Sequence, residues 1–323
     1  MVPEFHLSVL AEQLSAAIAP AIDASPDATL VDATCGAGGH TAAILERSRP
    51  ARVILLDRDP AALEHAKRRL TGAACPLEFR HARFSSLGGI LDELGIGQIA
   101  ALVADIGVSS HQLDTGERGF SFREDAPLDM RMDPTSGPTA AQVLASIDVA
   151  ELAEVLRRYG EEGEARRIAE AIVAARPRTT GALARVVENA MSGRARRALG
   201  KRIHPATRTF QALRILVNGE LDELDALLEV GPQRLCVGGR MAVISFHSLE
   251  DRRIKRRFAE LVRAPEVPAD LPLTAAQLPT AEFRHPPEVS RKGVQADAAE
   301  LDRNPRSRSA RLRAIERVME ART

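Results

Sequence analysis

Hydrophobic positions follow two patterns along this chain, and the change from one to the other divides it. Over the first third, short apolar runs at residues 30–33, 53–56, 77–81 and 99–106 alternate with helically spaced stretches, which predicts strands linked by helices. Ahead of them Val9, Leu10, Leu14, Ala17 and Ile18 mark an amphipathic helix, expected to pack on the sheet edge. Residues 109–138 are irregular and rich in Gly and Pro. From residue 140 to 228 apolar residues recur at helical spacing, as in Val143-Leu144-Ile147, Leu152-Val155-Leu156, Ile168-Ile172-Val173 and Leu213-Leu216-Val217. Strand character returns at residues 235–237 and 240–245, read as a pair joined by a turn at Gly238-Gly239. Residues 263–287 read as a proline-rich loop and 310–319 as a short, strongly basic helix. The expected fold is an α/β sheet of the doubly wound type with an all-helical insertion. Its expected segments are 1–111 and 217–323 for the sheet domain and 112–216 for the insertion.

The turn between the first two strands carries the chemistry. It reads Cys35-Gly36-Ala37-Gly38-Gly39-His40 and opens into Thr41-Ala42-Ala43-Ile44-Leu45, which makes a strand, a glycine turn and a helix. Asp57 ends the second run about twenty residues beyond the turn, where such units hold a ribose with a carboxylate. The third glycine of a dinucleotide fingerprint would fall on Thr41, so the usual sign of a pyrophosphate is missing. A nucleoside cofactor without phosphates fits better, and S-adenosylmethionine is the common one. A tight turn with no ligand is the plainer alternative.

A chain of 323 residues is longer than one core usually supports, in keeping with two domains or an insertion. No stretch approaches the roughly eighteen apolar residues of a membrane span, and no signal core opens the chain, so a cytoplasmic protein without a membrane partner is expected. Cys35, Cys75 and Cys236 are far apart, which predicts neither a disulfide framework nor a metal site. Cys35 reads as a small buried thiol.

Formal net charge is zero, but its distribution is uneven. Ten basic residues between Arg176 and Leu216 face Glu188 alone, a local excess of nine positive charges. Two more basic clusters lie at residues 252–257 and 303–317. A single run is often a solvated helix face; three in a neutral chain favour a polyanionic partner.

Asp105 ends the fourth strand run and leads into Ile106-Gly107-Val108-Ser109, beside the position where a doubly wound sheet binds its ligand. Asp105, Ser109, Ser245 and His247 are the polar residues expected nearest a reacting group, with a structural role equally open for each and favoured for His247. Phe84 follows the third strand, either over an adenine or in the core.

Long motifs then carry a family resemblance: FHLSVL from Phe5, DATCGAGGHT from Asp32, DIGVSSHQLD from Asp105, RGFSFREDAPLDMRM from Arg118, HPATRTFQALRILVNGEL from His204, SFHSLEDRRIKRRF from Ser245 and NPRSRSARLR from Asn304. Over nearly its whole length the chain resembles the MraW-type ribosomal RNA methyltransferases, which modify N4 of a cytosine in the decoding region of bacterial 16S rRNA. The resemblance implies a class I (Rossmann-like) methyltransferase sheet and S-adenosylmethionine contacts at Gly38, Gly39, His40, Asp57, Phe84, Asp105 and Gln112. From their position after the fourth strand run, Asp105 and Ser109 are the candidates for the catalytic role, with a cofactor contact the alternative that the resemblance offers for Asp105. The resemblance also implies that the helical insertion recognises RNA, for which Arg194, Arg196, Arg197, Lys201, Arg202 and Arg208 are the candidates. The implied partner is 16S rRNA within the small ribosomal subunit, with monomer and homodimer both open. Methylation of DNA or a small molecule, or a non-catalytic ribosome-assembly role, are the competing readings.

Overall fold

The computed structural model describes residues 8–199, 204–265 and 280–319. In chain order the helices are α1 (Ala11–Asp23), α2 (Gly39–Arg47), α3 (Pro60–Arg69), α4 (Leu87–Glu93), α5 (Ser110–Asp114), α6 (Ala140–Ser146), α7 (Val149–Gly160), α8 (Ala165–Ala175), α9 (Thr180–Ala190), α10 (Gly193–Leu199), α11 (Thr207–Asn218), α12 (Glu220–Arg234), α13 (Ser248–Leu261) and α14 (Ala298–Arg303). The strands are β1 (Thr29–Asp32), β2 (Arg52–Asp57), β3 (Leu77–His81), β4 (Ile99–Asp105), β5 (Leu235–Ser245), β6 (Phe283–Arg284), β7 (Val294–Gln295) and β8 (Arg311–Arg317). They belong to two compact units, Met1–Gly107 with Asp222–Thr323, and Val108–Leu221.

The first unit is built on one sheet of order β3-β2-β1-β4-β5-β8-β6, with β7 also paired to β8. Strands β1 to β5 run parallel and β8 runs antiparallel to β5. Parallel strands need cover on both faces, and the side chains alternate accordingly. Val53, Leu55, Ala101 and Val103 enter one apolar cluster with Leu14, Ile18 and Ile44. Ile54, Leu56, Leu102 and Ala104 enter the opposite one with Leu91, Leu227 and Phe258.

Three sequence expectations are corrected here. Helix α1 packs against β4, β5 and β8, in the interior of the sheet and not on its edge. Its apolar stripe of Leu14, Ala17, Ile18 and Ile22 is wide enough to need several strands beneath it. The stretch 235–245 is one strand and not a turn-linked pair, because Gly238, at φ 79°, and Gly239 form a bulge in which the register slips between Ile99 opposite Leu235 and Ala101 opposite Arg240. Residues 311–317 form strand β8 and not a helix. Leu312, Ala314 and Ile315 are buried in the sheet's apolar layers, while Arg313 pairs Asp251 at 2.7 Å and Arg317 pairs Glu282 at 2.7 Å. A buried arginine is tolerated when it is paired and hydrogen-bonded, as these two are, so the strand forms where charge suggested a solvated helix.

The second unit is helical, from α5 to α11, and has its own core, which includes Leu144, Leu152, Leu156, Ile168, Ile172, Leu183, Val187 and Leu213. Side chains cap its helices: Thr139 accepts from Gln142 N at 3.2 Å, Asp148 from Glu151 N at 2.8 Å and Thr179 from Ala182 N at 3.2 Å. Asn218 fixes the irregular stretch, accepting from Met132 N and donating to Met130 O, each at 2.8 Å.

Candidate cofactor site

The order β3-β2-β1-β4 reverses direction after β1, and the crevice at the carboxyl ends of β1 and β4 is where sheets of this kind bind ligands. The glycine turn sits there. Gly36 and Gly38 have φ values of 52° and 76°, which glycine adopts at little cost, and Gly38 caps the start of α2.

Carboxylates from three strand ends surround the turn. Asp57 Oδ2 accepts from Gly36 N at 2.7 Å and Oδ1 from Asp59 N at 2.8 Å, so it fixes the turn and the start of α3 together. Asp32 is buried; its oxygens accept from Thr41 Oγ1 at 2.7 Å and Thr34 N at 3.1 Å. Asp105 donates its backbone N–H to Thr34 Oγ1 at 2.5 Å. Its Oδ2 lies 3.7 Å from His40 Nδ1, and its buried Oδ1 has no hydrogen-bond partner. Burial pushes Asp57 and Asp105 up to about 6. For Asp105 the neighbouring His40 opposes that rise, while Asp32 and Glu250 add to it. Burial, with the Asp32 and Asp57 charges, raises the Cys35 thiol well above its ordinary value and keeps it protonated.

The structure thus brings Gly38, Gly39, His40, Asp57 and Asp105 together at one set of strand ends. Phe84 opens a short 3-10 turn after β3, half-buried against the Ile54 and Leu56 layer. Ser109 and Gln112 cap α5 reciprocally, Ser109 Oγ accepting from Gln112 N at 3.2 Å and Gln112 Oε1 from Ser109 N at 3.0 Å. Ser245 donates to the Arg311 carbonyl at 3.4 Å. His247 precedes α13, with its Nε2 3.0 Å from Glu250 Oε1.

In the helical unit Arg194, Arg196 and Arg197 are exposed on α10. Arg208 is half-buried and donates to the Glu161 carbonyl at 3.2 Å; Lys201 and Arg202 lie outside the described residues. Two other members of the basic run serve the fold: Arg176 donates to Ile147 O at 2.9 Å, and Arg214 pairs Glu220 at 2.8 Å. Much of the second cluster is also paired, Arg253 with Asp225 and Arg257 with Glu229, both at 3.2 Å.

Sequence reasoning missed two groups. Glu250 is fully buried and accepts from Phe246 N at 2.8 Å and His247 N at 3.2 Å; its place three residues after the helix cap was a readable signal. Glu300 reaches back to Leu10, a contact 290 positions apart that no local pattern carries.

Sheet order, antiparallel β8 and the glycine turn at the switch point define a class I methyltransferase fold. The chain belongs to the MraW methylase family, whose model matches residues 4–318. It is 47% identical over 324 aligned residues to a protein of Thiobacillus denitrificans named Ribosomal RNA small subunit methyltransferase H, covering 98% of each chain. Proteins of the same name from a Parafrankia species and from Mycobacterium tuberculosis H37Rv are 46% and 47% identical, over 97% of this chain in each case and 94% and 80% of theirs. The family is S-adenosylmethionine-dependent, and that is the cofactor of this chain. The residues present fit it: at Gly36 only the Thr34 carbonyl, at 3.8 Å, comes within 4 Å of the Cβ position, so the turn can be approached there, and the unpartnered Asp105 oxygen suits a cationic ligand.

Proposed function

We propose that the chain transfers a methyl group from S-adenosylmethionine to N4 of a cytosine in the decoding region of bacterial 16S rRNA. The observation that carries this reading is a full-length match to relatives named as small-subunit ribosomal RNA methyltransferases. Asp57 takes the ribose, Phe84 borders the adenine, Gly38, Gly39 and His40 line the methionine part, and Asp105 and Gln112 complete the pocket. The cofactor supplies an electrophilic methyl on a sulfonium.

A cytosine amino group has its lone pair delocalised into the ring, so the protein's task is to accept its hydrogens and hold the nitrogen in line. Asp105 and Ser109 are assigned to it, neither needing to be a strong base. The unit Val108–Leu221 recognises RNA through phosphate contacts from Arg194, Arg196 and Arg197, with Lys201, Arg202 and Arg208 as further contacts. The acceptor is 16S rRNA within the small subunit, in the cytoplasm. Among the described residues no helix is long and apolar enough to cross a membrane.

Nucleoside mass spectrometry of small-subunit RNA from cells with and without the protein tests the reading. Loss of N4-methylated cytidine in its absence is the expected result. Label from methyl-labelled cofactor on DNA, on ribose, or on another base would refute it, as would an RNA that binds but gains no label.

A further inference from the structure

The segment Ser8–Leu10 lies against the start of α2 and is held there from the far end of the chain. Leu10 is fully buried at φ 52°, a left-handed conformation that costs a residue with a side chain about 1 kcal/mol or more. Its N–H donates to Glu300 Oε1 at 2.6 Å, on α14. One residue earlier, the Val9 carbonyl accepts from His40 Nε2 at 2.8 Å. Beside them Ser8 sits so close to α2 that a Cβ at Gly39 would come within 2.0 Å of its hydroxyl.

We propose that Glu300 is a positioning residue for the cofactor site: by clamping the Leu10 amide it holds the Val9 carbonyl on His40 and so selects the imidazole tautomer that faces Asp105. A carbonyl oxygen only accepts, so the His40 proton sits on Nε2. Nδ1, 3.7 Å from Asp105 Oδ2, then carries a lone pair whenever the ring is neutral. The opposite tautomer would aim an N–H at Asp105 and compete with a cationic ligand for its charge. The strap therefore leaves the Asp105 carboxylate available to the positive charge of S-adenosylmethionine. The charged groups around His40 are Asp105 from β4 and Asp32 from β1, with Arg69 of α3 beside Gly39 and Glu250 of α13 acting on Asp105.

The inference rests on the glycine turn being the cofactor site, and the test separates the two. Nitrogen-15 NMR of the full chain without cofactor reads the His40 tautomer, and calorimetry reads binding of S-adenosylmethionine. Wild type should show the Nε2–H form. Glu300→Ala should mix the tautomers and weaken cofactor binding about five- to ten-fold, the worth of one hydrogen bond. Glu300→Gln keeps an acceptor for the Leu10 amide and should restore both.

Thr139→Ala removes the α6 cap in the helical unit, where Thr139 Oγ1 accepts from Gln142 N at 3.2 Å. It should lower thermal stability while leaving tautomer and affinity unchanged. Should Glu300→Ala fail to fold, Glu300→Asp withdraws the carboxylate by one methylene and carries the same test. An unchanged His40 spectrum in a folded Glu300→Ala chain, or an affinity loss shared by Thr139→Ala, overturns the proposal. A wild-type chain that binds no S-adenosylmethionine overturns the cofactor reading instead, with the tautomer arm still deciding the strap.

Discussion

Asp105 and Asp57 ionise near pH 6 in the fold and near 4 when the chain is unfolded. Between those values the folded chain holds protons that the unfolded chain has released. The stability these carboxyls contribute is therefore full below about pH 4 and lost as the pH rises through about 6. Asp105→Asn removes one buried charge, so thermal melts should show its stability gain over wild type growing from pH 4 to pH 7. A difference that is flat with pH would reject the assigned ionisation. Cofactor affinity should move the other way in wild type, rising over the same window as the carboxylates ionise to meet a cation. Asp57→Ala should weaken S-adenosylmethionine binding about ten- to hundred-fold by calorimetry, the loss of a charge-assisted contact and of the turn it fixes. The spacing of Asp57 from the glycine turn was legible in sequence. The unpartnered oxygen of Asp105 was not, since it depends on what β1, α2 and α13 bring beside it.

Helices and strands were legible where their period was clean. The parallel strands β1 to β4 and the helices of the second unit have apolar residues at intervals that a single element satisfies by itself. Strand β8 was misread because its arginines looked solvated, while Asp251 and Glu282, far away in sequence, bury them. The β5 bulge was misread as a turn because Gly238-Gly239 signals either, and only pairing with β4 decides between them. A Cβ at Gly239 would stand 2.8 Å from the Cys236 carbonyl and 3.1 Å from the Ile99 carbonyl, both backbone atoms with little room to yield. Gly239→Ala should therefore destabilise the protein by about 2 kcal/mol or more in urea denaturation. Gly97→Ala, with nothing within 4 Å, should be near neutral. Equal midpoints for the two variants would contradict the bulge.

Across the whole molecule, a formal charge of zero hides a division of labour among the arginines. Some are internal struts, such as Arg240, which pairs Glu316 at 2.9 Å, while Arg194, Arg196 and Arg197 are exposed. If those three meet phosphates, Arg194→Glu with Arg197→Glu should flatten the salt dependence of RNA binding by about one to two units of slope. Cofactor affinity should stay the same. Binding to RNA or small subunits at several salt concentrations, beside calorimetry, checks both. An unchanged slope would leave these residues as a solvated helix face.

By itself the sequence determined the α/β class, the glycine turn with its distant acid, the helical insertion and the family, because each is written in spacing or in long contiguous motifs. Only the tertiary structure decided which charges are buried and paired, where α1 packs, that 311–317 is a strand, and that Glu300 holds the segment touching His40. Those features join residues tens to hundreds of positions apart. Their energies come from burial and partner choice, which a local pattern does not contain.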